Sequence, residues 1–233
     1  MLVFRSLRSL MFRCYARGLR SGLMSIGSRV RSLLGPRLEQ TAANGYRRLF
    51  VSLDALARRV AHLGPFESVV EVGCGEGALL TRLMNALDPK ATALGIDIAP
   101  NPGHNYAGRN HHVEFRQATV AEIVAEGRSF DLVIVSDVLH HIPATDRRGF
   151  LESCRELLAP GGTVVVKEWV KRRNLAHAAA YTSDYWISGD KTVEFFDDDE
   201  MRALFVDVFG DINAVETTIA PHRNNLVLAT KRH

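Results

Sequence analysis

Short apolar runs alternate along this chain with stretches in which apolar residues recur every three or four positions. That alternation marks strands feeding helices, the βαβ units of a parallel sheet. The runs predict strands at Ser68–Val72, Ala93–Asp97, His112–Arg116, Leu132–Ser136, Thr163–Glu168, about Asp211–Val215 and Asn225–Ala229. A helical pattern precedes them from about Thr41 to Leu63, through Tyr46, Leu49, Phe50, Leu53, Ala57 and Val60, and Gly64-Pro65 stops it. The fold class expected is α/β. At 233 residues the chain can form one such domain with an appendage, and is too short for two full-sized domains.

The appendage has its own pattern. Val3, Phe4, Leu7, Leu10, Met11 and Tyr15 fall on one side of a helix, and Arg5, Arg8, Arg13, Arg17 and Arg20 on the other. The arginines break every apolar run well before the roughly 20 residues a spanning helix needs. Three readings stay open: a helix lying on an anionic membrane surface, an import presequence rich in Arg and Ser, or an ordinary helix packed on the body or a poorly ordered terminus. Gly35-Pro36 reads as a linker, so residues 1–38 form a basic arm and 39–233 the domain. The expected location is cytoplasmic with peripheral membrane contact through the arm, or mitochondrial if the arm is a presequence.

Charge and cysteine content narrow the partners. The net charge of +3 hides eight arginines in residues 1–38, where no carboxylate occurs; the remainder carries 21 basic against 26 acidic residues, about −5. A mildly acidic body argues against nucleic acid as a partner, because neutralising phosphates calls for a basic patch or stripe. Cys14, Cys74 and Cys154 are odd in number and widely spaced, which suggests a reducing compartment and neither a disulfide framework nor a zinc site. No metal-ligand cluster stands out.

The most informative stretch is SVVEVGCGEGALLTRL, an apolar strand running into Gly73, Gly75 and Gly77 and then a helix. A tight strand-to-helix turn requires backbone angles that a Cβ opposes, and bare backbone lets a ligand come close. Twenty residues after Gly77 the second strand ends in Asp97, where a carboxylate can accept hydrogen bonds from both hydroxyls of a ribose. The loop also reads as GxGxxA, Gly73 through Ala78 with Cys74 inside it, as in a nicotinamide dinucleotide site. Against that, Glu71 stands two residues before the first glycine, better placed for a cationic ligand than for a pyrophosphate.

With FDLVIVSDVLHHIP and LLAPGGTVVVKE at the fourth and fifth strands, these residues resemble the class I S-adenosylmethionine-dependent methyltransferases acting on small molecules and lipids, over roughly residues 66–170. The resemblance implies a Rossmann-like doubly wound sheet of seven strands, mostly parallel with an antiparallel last strand, and helices on both faces. It implies S-adenosyl-L-methionine as cofactor, bound by Glu71, Gly73, Cys74, Gly75 and Gly77, by Asp97 with Ile98 beside the adenine, and by Ser136, Asp137 and Val138. The family often places an acid after the third strand for the adenine amino group; here Gln117 and Ala118 stand there, so the Gln117 side-chain carbonyl or a backbone group takes that role. Asp137 also reads as an amino-terminal cap for the segment after it.

The expected reaction is in-line transfer of a methyl group to oxygen or carbon of a small organic or lipid-like acceptor, accelerated mainly by alignment. His140 and His141 are the candidate general bases, or else packing residues. The segment from Lys167 to Glu200 is expected to form part of the acceptor pocket, with Tyr181, Tyr185, Trp186 and Phe195 as aromatic walls or surface packing. Cys154 is expected in a helix core. A non-catalytic binding or assembly protein, and less readily a nicotinamide-dependent oxidoreductase, are the alternatives.

Overall fold

A computed structural model describes residues 52–109, 112–171 and 194–232. The arm, the predicted helix before residue 52 and most of the segment after Lys171, with Tyr181, Tyr185 and Trp186, lie outside the described residues. Helix α1 (Leu53–Ala61) begins at Ser52, whose hydroxyl accepts from the Ala55 N–H, and it buries Leu56, Ala57 and Val60. Strand β1 (Ser68–Val72) leads through the glycine turn into α2 (Ala78–Ala86). Strand β2 (Thr92–Asp97) and β3 (Val113–Gln117) follow, then α3 (Val120–Ala125), started by a reciprocal cap between Thr119 and Glu122. Next come β4 (Phe130–Ser136), a single 3-10 turn at Leu139–His141, α4 (Ala144–Glu156) and β5 (Leu158–Trp169). Helix α5 (Asp198–Phe209), with a second reciprocal cap from Asp197 and Glu200, precedes β6 (Val215–Thr218) and β7 (Asn225–Lys231).

The strands form one seven-stranded sheet in the order β3-β2-β1-β4-β5-β7-β6. Neighbours from β3 through β5 pair in parallel, and β7 runs antiparallel between β5 and β6. Alternate residues of each strand feed two cores. Val70, Val72, Leu94, Ile96, Val133, Val135, Val164 and Val166 face Ile123, Leu151, Cys154 and Phe205 from α3, α4 and α5. Val69, Ala93, Leu132, Ile134 and Val165 face Leu56, Val60, Leu80 and Leu83 from α1 and α2. Burial on both faces explains why the strands read as continuous apolar runs. The order reverses between β1 and β4, so the carboxyl ends of β1, β2 and β4 open onto one crevice, where doubly wound sheets bind ligands.

Two strands depart from the sequence expectation. β5 starts at Leu158 and not Thr163, because Pro160-Gly161-Gly162 forms an irregularity inside the strand: Phe130 pairs with Leu158, the next partner of β4 is Thr163, and Gly161 takes φ +73°. β6 begins at Val215, where a strand was expected to end. Asp211 and Asn213 are occupied by side-chain bonds to β7: the Asp211 carboxylate accepts from the Thr230 hydroxyl at 2.7 Å, and Asn213 Oδ1 from the Lys231 N–H at 2.8 Å. Those residues close a turn, and pairing starts beyond them.

Candidate active site

The glycine turn is held by backbone bonds to β2. The N–H groups of Gly73 and Cys74 both donate to the Ile96 carbonyl, at 2.8 and 3.0 Å. Gly73, Gly75 and Gly77 all have positive φ, at 74°, 51° and 84°. Their surroundings differ. A Cβ on Gly73 would lie 2.3 Å from Val138 Cγ2, whereas one on Gly75 would meet nothing within 4 Å among the described residues. Gly73 lets the β1 and β4 ends touch; Gly75 borders open space. Gly73→Ala is therefore expected to destabilise the fold by about 2 kcal/mol or more through overpacking and backbone strain. Gly75→Ala is expected to cost only about 1–2 kcal/mol of backbone strain yet to project its methyl into the crevice and weaken binding there. Thermal melts with and without S-adenosylhomocysteine separate the two effects.

Asp97 joins the turn to the end of β2. Its Oδ2 accepts from the Gly75 N–H and its Oδ1 from the Ala99 N–H, each at 2.8 Å. A carboxylate has about four lone-pair sites, so both oxygens keep capacity toward the crevice. Beside it Ile98 is 48% exposed, an unusual position for a large apolar side chain and suited to the face of a planar ring. The Gln117 amide nitrogen donates to the Ile98 carbonyl at 3.0 Å, which ties the side chain down at its nitrogen end. The Ala118 N–H is committed to the Asp97 carbonyl and the Thr119 N–H to Glu122. An adenine amino group needs an acceptor, which the Gln117 side-chain carbonyl can supply and those backbone N–H groups cannot.

Glu71 is buried, 3% exposed, and among the described residues its Oε2 has no hydrogen-bond partner. Burial pushes its carboxyl up to about 8, opposed by the Leu80 backbone amide and reinforced by Asp97. Cys74 is buried, and burial likewise pushes its thiol well up, so it behaves as an inert small apolar residue.

The opposite wall is built from the ends of β4 and β5. Glu168 is completely buried; its Oε1 accepts from the Val138 and Leu139 N–H groups at 2.8 and 2.6 Å, and its Oε2 lies 2.7 Å from His140 Nδ1. One carboxylate thus caps the 3-10 turn and orients the histidine on it. The expectation that Asp137 supplies that cap is corrected: Asp137 takes φ 56°, and both its oxygens lie 2.6 Å from the buried Lys167 Nζ. Ser136 is half-buried, its hydroxyl 3.4 Å from Asp137. His140 is buried and stacks on Phe195 at 5.3 Å, while His141 is exposed with its ring 4.1 Å from that of His140.

A third clamp comes from α4. Arg147 is buried, donates through Nε to the Leu139 and Ile142 carbonyls and through Nη2 to the Glu194 carbonyl, and lies 4.1 Å over the Phe196 ring. Of the aromatic walls expected, Phe195 is the one described, and it packs on the histidine turn. His222 stands edge-on to Trp169 at 5.7 Å. Cys154 is buried in α4, as expected.

The sequence reading assigned no role to Glu168, Lys167 or Arg147. A charged pair closing the apolar run TVVVKEW was the available signal, since a buried strand does not carry a Lys and a Glu without partners. The structure also assembles what the sequence did not suggest, ligand atoms of Asp137, His140 and Glu168 within 4.8 Å of one another. Their donor atoms are engaged by the chain itself: Lys167 neutralises Asp137, and Glu168 holds two amides and the His140 ring.

A family model described as a methyltransferase domain matches residues 70–164, from β1 into β5. An uncharacterized methyltransferase of Mycobacterium bovis is 30% identical over 136 residues, 57% of this chain and 67% of that protein. The chain belongs to the class I methyltransferase family. A ubiquinone biosynthesis O-methyltransferase of Cereibacter sphaeroides is 33% identical over 132 residues, 53% of this chain and 50% of its own length. The chain thus spans about half the length of that curated relative. Among solved structures, a 1,6-didemethyltoxoflavin-N1-methyltransferase of Burkholderia thailandensis aligns over 94% of this chain and 89% of its own, with a TM-score of 0.63 and 18% identity, which shows a shared fold. Membership removes the oxidoreductase reading of the glycine loop, and the methyltransferase matches fall on the stretch that carries that loop, Asp97 and the histidine turn.

Proposed function

We propose that this methyltransferase uses S-adenosylmethionine to methylate a hydroxyl of a small, phenol-like acceptor, with His140 as the general base. The observation that carries this reading is the buried His140–Glu168 pair at 2.7 Å, in the turn that follows the carboxyl end of β4. The residues opposite fit the donor: an unpartnered buried carboxylate oxygen on Glu71 suits a cationic ligand, Asp97 suits ribose hydroxyls, Ile98 offers an apolar face, and the space at Gly75 is open. When bound, the donor supplies an electrophilic sulfonium methyl. Every other requirement falls on the chain.

Glu168 accepts the Nδ1 proton of His140 and so fixes the tautomer whose Nε2 lone pair accepts a proton, and it stabilises the imidazolium that then forms. That tautomer is the one needed to draw a proton from a weakly acidic hydroxyl as the new bond forms. The Glu168 contact orients the His140 ring, which favours His140 over the exposed His141 as the base. Glu168 and Arg147 fix the turn from two sides, so the ring is held in place before the acceptor arrives. The name of the Cereibacter relative, an O-methyltransferase, supports oxygen as the target. The Arg-rich arm supports an acceptor encountered at an anionic lipid surface, and it makes peripheral membrane association part of this proposal.

The test is incubation of the full chain with methyl-labelled S-adenosylmethionine and a panel of phenols, catechols and primary amines at neutral pH. Label is expected in phenolic products, and His140→Gln is expected to lose it while still binding S-adenosylhomocysteine. Label appearing in the amines alone would overturn the assignment to oxygen.

A further inference from the structure

Glu71 points to the face of the sheet that carries α1 and α2, between Gly95 of β2 and Ile134 of β4. Among the described residues, the groups that act on it are few. Asp97 brings a like charge, the Leu80 amide of α2 a hydrogen bond, and the Cys74 thiol lies close enough to feel the Glu71 charge. The flanking Gly95 and Ile134 are apolar. An ionised carboxylate that is buried, with one oxygen unbonded and another carboxylate nearby, is costly. The neutral acid is the favoured form for as long as no positive charge is at hand.

We propose that Glu71 is protonated while the crevice is empty and ionises as the cationic donor enters, so that the site exchanges a proton for a positive charge and thereby selects the donor over its spent product. This rests on the reading of the crevice as the S-adenosylmethionine site. The donor carries a sulfonium and an ammonium against one carboxylate; the product has lost the sulfonium charge and is neutral overall. The exchange balances: the Glu71 carboxyl loses one proton to solvent, no bond of the ligand changes, and the complex keeps the ligand's cation beside the new carboxylate. The product, one charge poorer, draws the proton off less completely.

The sign of the pH dependence follows. Below the pH at which the empty site ionises by itself, donor binding must expel a proton, so donor affinity rises with pH and levels off near pH 8. Product affinity rises less, and product competition is strongest on the acid side.

Titration calorimetry on the full chain at pH 7, in two buffers of contrasting ionisation enthalpy, measures the protons released. Close to one proton per S-adenosylmethionine is expected, with a smaller release for S-adenosylhomocysteine. From pH 6 to pH 7 the affinity for S-adenosylmethionine is expected to tighten roughly tenfold. Glu71→Gln, which keeps the shape, is expected to lose that release and that slope while retaining any titration of the ligand's own amino group. Binding of S-adenosylmethionine without proton release, equal release by both ligands, or an unchanged release in Glu71→Gln would each overturn the proposal. Failure of the wild-type chain to bind either ligand would instead overturn the donor-site reading beneath it. If Glu71→Gln does not fold, the wild-type proton counts decide alone.

Discussion

Glu168→Gln is expected to lower turnover on the order of 10³- to 10⁴-fold, the size of loss seen when the acid partner of a catalytic histidine in serine proteases becomes an amide. The substitution keeps volume and keeps an oxygen for the Val138 and Leu139 amides. It places an NH₂ group against His140 Nδ1, 2.7 Å from the present carboxylate oxygen. The ring must then turn its Nδ1 lone pair toward that group and carry its proton on Nε2, where it can no longer accept one. Affinity for S-adenosylhomocysteine is expected to stay within a few-fold of wild type, because Glu168 lies on the wall opposite Asp97. Single-turnover rates at saturating donor and acceptor check the first expectation and calorimetry the second. Turnover within tenfold of wild type would mean that the pair only packs the turn.

Asp97→Ala is expected to weaken S-adenosylhomocysteine binding on the order of 100-fold. Two charge-assisted hydrogen bonds to ribose hydroxyls, at about 1.5 kcal/mol each, account for that loss. The same change frees the Gly75 and Ala99 amides, which Asp97 now holds at 2.8 Å, so part of the loss is expected as slower association with a loosened turn. Asp97 is half-buried, so water takes over part of what the freed amides lose, and the melting temperature of the unliganded protein is expected to fall by a few degrees. Affinity retained within threefold would place the nucleoside elsewhere.

The parts of this fold that depend on neighbours in sequence were legible before the structure. Val69, Val70 and Val72 announced a doubly buried strand, and the glycines after them announced the turn, because both signals are local. β6 was displaced because Asp211 and Asn213 spend their side chains on β7, a contact between distant residues that no periodicity carries. The Pro160-Gly161-Gly162 stretch read as a boundary and is a bend within β5, since β5 pairs with β4 on both sides of it and with β7 beyond it. Asp97 and His140 were found because they end a strand or follow one. Glu168 was missed as a site residue because its partner stands 28 positions away, and only the parallel pairing of β4 with β5 brings them together.

Consecutive residues of β5 perform opposite electrostatic tasks: Lys167 faces the Asp137 carboxylate, and Glu168 faces the imidazole. Because a strand alternates sides at each position, slipping β5 by a single residue would deliver an ammonium where the histidine needs an acid. The chemistry therefore inherits its fidelity from the ladder in which Lys167 meets Val227 and Glu168 meets Leu226. Misalignment of that ladder would leave a well-folded sheet with a silenced base.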